Sequence, residues 1–87
     1  MNLTKEEHNL PKYSQLAQSL KIDSRYEHYS GKQYRLIGIA RHTETLEELV
    51  VYQALYGDMN IWVRPLKMFC EEVEIGGQML PRFKRLA

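Results

Sequence analysis

The chain has 87 residues, 44% apolar and 26% charged, with a formal net charge of +1. That length supports one small domain burying roughly 60–65% of its unfolded surface, with the composition of a globular protein and not of a disordered tail. Near-neutral charge argues against a protein held to nucleic acid mainly by phosphate neutralisation, no apolar run approaches the roughly 18 residues of a membrane span, and a lone cysteine, Cys70, rules out an internal disulfide.

The first residues lack the basic segment, apolar segment and small-residue cleavage site of a secretion signal, so a cytoplasmic location is expected. Residues 1–24 read as an N-terminal extension with a short helix. Thr4-Lys5-Glu6-Glu7 has the spacing of a capping box. Tyr13, Leu16, Ala17 and Leu20 then recur on one helical face, with Ser14 placed as N-cap and Lys21 near the C-terminal end of the dipole. Burying Leu16 and Leu20 contributes about 1.5–3 kcal/mol each. Ordering the backbone costs about 1–2 kcal/mol per residue, so so short a helix must lie on the rest of the domain or on a protein partner.

Residues 25–87 read as a small β-barrel-like domain. Tyr26 to Tyr29 is a short strand, and Ser30-Gly31-Lys32 is a tight turn. Gln33 to His42 is a longer strand whose mixed alternation and mid-strand Gly38 suggest a bulge. Leu49 to Tyr56 follows, then a turn at Gly57-Asp58 and a strand from Met59 to Arg64 that Pro65 ends. Leu66 to Cys70 suits a helical turn. Glu71 to Ile75, Gly76-Gly77 and Met79 to Phe83 read as a final hairpin. The expected fold is mainly β: a small curved antiparallel sheet or a partly closed SH3-like barrel with a short N-terminal α-helix.

Several groups suit chemistry. If the strand runs on, His42 and Glu44 share a face, where a carboxylate could orient an imidazole as general base. The competing account is a capping box at Thr45-Leu46-Glu47-Glu48 that closes one helical turn. Trp62 and Arg64 share a strand face and could hold a carboxylate, a phosphate or a flat ring; alternatively Trp62 is core and Arg64 pairs with a loop glutamate. Tyr26, Tyr29, Tyr34, Tyr52 and Tyr56 could be a stacking platform or the filling of a small barrel. Pro81-Arg82-Phe83-Lys84-Arg85 reads as a basic patch or a solvated tail. Three histidines and one cysteine show no zinc spacing, so neither metal nor cofactor is expected.

Taken in order, these stretches carry a resemblance. Tyr26-x-His28-Tyr29-x-Gly31-Lys32-x-Tyr34, Gly38-Ile39-Ala40-Arg41-His42-Thr43-Glu44-Thr45-Leu46-Glu47-Glu48, Val50-Val51-Tyr52-x-x-Leu55-Tyr56-Gly57-Asp58, Trp62-Val63-Arg64-Pro65-x-x-Met68-Phe69 and Pro81-Arg82-Phe83 resemble the pattern of domain-of-unknown-function family 1653. The resemblance covers about Arg25 to Phe83. It implies a small bacterial β-rich domain and supplies no catalytic residues.

The expected function is therefore a non-enzymatic binding module that takes a small anionic or planar ligand, a short peptide or nucleic acid. Its candidate face holds His28, His42, Glu44, Tyr52, Trp62, Arg64 and Arg82. Nucleic acid is the weaker partner, because the basic groove that accompanies a stacking platform is not evident. The alternative is a small hydrolase-like enzyme with His42 as base, Glu44 as its orienting acid and Arg64 as anion holder.

Overall fold

A computed structural model describes residues 10–86; the capping box at Thr4 lies outside them. A four-residue helix α1 (Gln15–Gln18) leads into β1 (Arg25–His28), β2 (Gln33–Arg41), β3 (Glu48–Ala54) and β4 (Ile61–Pro65). After α2 (Leu66–Cys70) come β5 (Glu72–Ile75), β6 (Gln78–Pro81) and β7 (Phe83–Arg85). The main sheet has the order β4-β3-β2-β1-β7, antiparallel throughout, and β5-β6 is a separate two-stranded hairpin. The fold is mainly β as expected, and the sheet stays open, with β4 and β7 as its edges.

The uneven alternation in β2 has a simple cause. Leu36 opposes Tyr52 while Gly38 opposes Val51, so Ile37 is one residue too many. Directly opposed residues in an antiparallel pair share a face. Ahead of the bulge Tyr34 and Leu36 lie with Ala54 and Tyr52; beyond it Ile39 and Arg41 take over that face opposite Val50 and Glu48. The chain thereby keeps an apolar residue inward on both sides of a bend. Gly38 itself has ordinary backbone, and a Cβ there would meet nothing within 4 Å. Gly31, by contrast, has a conformation that favours glycine: at φ +100° its N–H donates to the His28 carbonyl at 2.8 Å and closes the β1–β2 turn.

All the packing is on that one face. Leu36 and Val50 are fully buried, joined by Tyr26, Tyr52 and Phe83 from the sheet, Leu66 and Phe69 from α2 and Ala17 from α1. Phe69 stacks on Phe83 at 4.1 Å, which fastens α2 to the β7 edge.

Two expectations about short helices need correction. Ser14 does cap α1, its Oγ accepting from the Ala17 N–H at 3.1 Å. The helix ends at Gln18, however, so only Ala17 is buried, Leu16 remains 43% exposed and Lys21 falls outside it. Ala17 and, beyond the helix, the partly buried Leu20 pack against the core, and the rest of the anchorage is polar. Both oxygens of the Glu48 carboxylate accept from Ser14, one from the N–H at 2.7 Å and one from the hydroxyl at 2.6 Å. The Tyr13 hydroxyl donates to the Ile39 carbonyl at 3.1 Å. α1 thus lies on its own sheet. Those same bonds explain why Thr45 to Glu48 forms no capped helical turn: Glu48 is already in β3 opposite Arg41, with its carboxylate committed to Ser14.

The C-terminal hairpin also differs. It breaks at Arg82, whose N–H donates to the Glu71 carbonyl at 3.0 Å and whose carbonyl accepts from the Tyr29 N–H at 3.1 Å. Phe83 to Arg85 then leave the hairpin and pair with β1 as a fifth strand of the main sheet.

Candidate functional site

The core face supplies the site. Tyr52 in β3 opposes Trp62 in β4, and Val50 opposes Arg64, so Trp62 and Arg64 project on the packed side of the sheet. β4 is an edge, which leaves Trp62 51% exposed. On the other edge, His28 in β1 opposes Phe83 in β7.

Phe83 is the hub between the two. Its ring stacks on Phe69 and makes edge contacts with His28 at 5.0 Å, Tyr34 at 5.6 Å and Tyr52 at 5.4 Å. The Arg64 guanidinium carbon lies 5.8 Å from the centre of the same ring, and Arg64 Nε donates to the Tyr52 hydroxyl at 3.3 Å. Tyr34 shares a hydrogen bond with the exposed Tyr56, hydroxyl to hydroxyl at 2.8 Å, and Lys32 sits 4.7 Å from the centre of the Tyr56 ring. The result is an aromatic bed with cations along it. Among the described residues, Arg64 makes no ion pair.

The electrostatics follow. His28 Nδ1 accepts from the Ser30 N–H at 3.1 Å and contacts the Ser30 hydroxyl at 2.9 Å, which leaves the ring proton on Nε2. Burial holds the His28 imidazole below its ordinary range, and the positive charges of Arg64 and Arg82 push it further down. Tyr34 is pushed up to about 12, first by burial and then by its bond to Tyr56. Both shifts keep the bed itself uncharged while Arg64 remains cationic.

Not every residue singled out from the sequence joins this cluster. His28, Tyr52 and Arg64 do, and Trp62 stands opposite Tyr52 on the same face. Arg82 touches it only through its field, because its guanidinium is occupied: Nε donates to the Met68 carbonyl at 3.0 Å and the fork reaches the Glu71 carboxylate. Arg82 thus pins the end of α2 to the β6–β7 junction. His42 follows Arg41 at one end of β2, whereas His28 lies beside Lys32 at the other, its N–H donating to that carbonyl at 2.9 Å. His42 meets Glu44 through the backbone: Nδ1 accepts the Glu44 N–H at 3.0 Å and the Thr45 N–H at 3.3 Å. The imidazole therefore braces the β2–β3 loop with the nitrogen that a carboxylate would have to orient. Burial raises the Cys70 thiol, which makes it a poor nucleophile. No group of three potential metal ligands occurs among the described residues.

Phe83 is the member that the sequence marks least as part of a site, whereas Tyr34 stands among the tyrosines of the expected platform or barrel filling. In sequence Phe83 reads as the end of a hairpin strand and as an aromatic within a basic run, and neither shows that it leads a strand beside β1 into the core.

Residues 24–85 match the model of the family described as "Protein of unknown function (DUF1653)". The structure is similar to a crystal structure of a DUF1653 protein from Bordetella bronchiseptica, with a TM-score of 0.72 and 35% sequence identity. That match covers 80% of this chain and 91% of the other. No curated protein matches the chain.

Proposed function

The chain belongs to the DUF1653 family of unknown function, and from that starting point we propose that it is a non-enzymatic binding module whose core-face cluster takes a flat, anionic small ligand of mononucleotide type. The observation that carries this reading is Arg64. A guanidinium held over Phe83, bonded to the Tyr52 hydroxyl and without an ion-pair partner among the described residues presents a charged fork beside an aromatic bed. A ring stacked on Trp62 or Tyr56, with its phosphate or carboxylate on Arg64 and His28 Nε2–H, would use both features. The acid–base pair needed for hydrolysis draws no such support, since His42 uses Nδ1 to hold its own loop. The same reading places the module in a reducing, cytoplasmic setting, which suits a half-buried lone thiol.

The test is a titration of isotope-labelled protein, followed by NMR, with adenosine monophosphate, adenosine, inorganic phosphate, a short oligonucleotide and an acidic peptide. Adenosine monophosphate should shift Arg64 Nε, Trp62 Nε1 and His28 saturably, more tightly than adenosine or phosphate alone. Arg64→Lys should weaken it about tenfold, because the point charge lacks the fork. Tighter binding by the oligonucleotide or the peptide would reassign the ligand class. Silence of all three side chains would remove the site.

A further inference from the structure

A concavity lies at the other end of the core face. A cleft of about 540 Å3 opens between α1, the β2–β3 loop and α2, within the roughly 300–1,000 Å3 usual for small-molecule sites. Its apolar wall is made by Leu16, Leu46 and Leu66. Leu66 is buried, while Leu16 and Leu46 each remain 43% exposed towards solvent.

The charges around it nearly cancel, but not completely. Arg41 and Glu48 oppose each other across the β2–β3 pair, and Glu48 is further held by Ser14, which keeps its carboxyl below the ordinary range. Arg41 also donates to the Pro11 carbonyl and covers the Tyr13 ring at 4.4 Å. Both are thus engaged in holding α1 down. Among the described residues that line the cleft, Lys12 and Lys67 then face Glu47, an excess of one positive charge at the mouth of an apolar cleft.

Leu46 gives an independent reason to regard the cleft as built for occupancy. Its φ is +62°, a left-handed conformation that a branched side chain adopts only under constraint. The constraints are visible: the Leu46 N–H donates to the His42 carbonyl at 2.8 Å, the His42 N–H to the Glu47 carbonyl at 2.8 Å, and His42 Nδ1 takes the two N–H groups between them. A glycine would satisfy that backbone at lower cost. The position instead carries a leucine that forms cleft wall, a strain of the kind that gathers at ligand clamps.

We propose that this cleft binds a small amphipathic monocarboxylate, its apolar body against Leu16, Leu46 and Leu66 and its carboxylate between Lys12 and Lys67. The site is separate from the Arg64 cluster. The brace formed by His42 then acquires a purpose, since it holds the wall that the two helices do not supply.

The test uses the full chain and octanoate below its micellar concentration, with octanol and octyltrimethylammonium as comparators, read from leucine methyl NMR shifts. Saturable shifts of Leu16, Leu46 and Leu66 methyls are expected with octanoate, at least tenfold tighter than with either comparator. Lys67→Glu, on the exposed face of α2, should keep the amide spectrum and weaken octanoate at least tenfold. Leu46→Gly should preserve or raise the melting temperature while abolishing binding. Neither variant should alter the response of Arg64 Nε to adenosine monophosphate, so the two sites stand or fall separately. Equal affinity for octanol, unchanged binding in Leu46→Gly, or no saturable shift would overturn the assignment.

Discussion

Replacing Phe83 with leucine keeps most of the apolar volume and removes the ring on which fold and site both depend. Phe83 stacks on Phe69 at 4.1 Å and meets His28, Tyr34 and Tyr52 edge-on at 5.0 to 5.6 Å. Aromatic pairs contribute about 0.5–1.5 kcal/mol each beyond area burial. The four share one ring and are not additive, and leucine recovers part of the packing, so a net loss of about 2–3 kcal/mol is expected. For a domain of this size that lowers Tm by roughly 8–24 °C, and a stability of about 5–15 kcal/mol leaves the variant folded at room temperature. Near-UV circular dichroism gives the melt, with Met79→Ala as control, since Met79 is 58% exposed and should move little. Arg64 would also lose the ring beneath it, so adenosine monophosphate should bind at least tenfold more weakly to the folded variant. A Tm drop below about 4 °C together with unchanged ligand affinity would refute both the hub and the bed.

Other expectations separate packing from binding. Trp62→Ala should cost under about 1.5 kcal/mol in stability, because the side chain is half exposed, yet weaken the nucleotide by about five- to a hundredfold through loss of stacking. Glu48→Gln should release α1. Glu48 lies below its ordinary value of 4.5 when folded, so its contribution is complete above that pH and fades as pH falls through the lower folded value. Hydrogen exchange at Ala17 should therefore accelerate in acid for the native chain and be fast and pH-insensitive, after correction for intrinsic exchange, in the variant. Gly38→Ala should be neutral or stabilise by about 0.4–1 kcal/mol in chemical denaturation, because the bulge residue is Ile37 and the added methyl meets nothing.

The parts of the fold that were legible in sequence are those in which a local cue and the tertiary outcome coincide. Pro65 ends β4 because it cannot donate to the ladder, and the Gly76-Gly77 pair turns the β5–β6 hairpin with both residues at positive φ. Gly38 correctly signalled the bulge, although the distortion centres on Ile37. Long-range partners were not legible. Glu48 has capping-box spacing from Thr45, but Ser14 claims it from 34 residues away. Met79 to Phe83 reads as one hairpin strand until the break at Arg82 turns Phe83 into the main sheet. His42 and Glu44 have the spacing of an oriented imidazole; backbone N–H groups hold the ring instead, and backbone donors leave no mark in composition. Trp62 and Arg64 were visible because alternation on an edge strand puts them together whatever the rest of the sheet does.

The most direct measurement is the NMR pH titration of the His28 imidazole, with and without saturating adenosine monophosphate. In the free protein its midpoint should lie below 6.5, the ordinary imidazole value, depressed by burial and then by Arg64 and Arg82. A phosphate bound at Arg64 stabilises the imidazolium and should raise that midpoint, and Arg64→Gln should raise it in the free protein as well. A His28 midpoint that does not move when the ligand saturates would contradict the placement of the anion at Arg64.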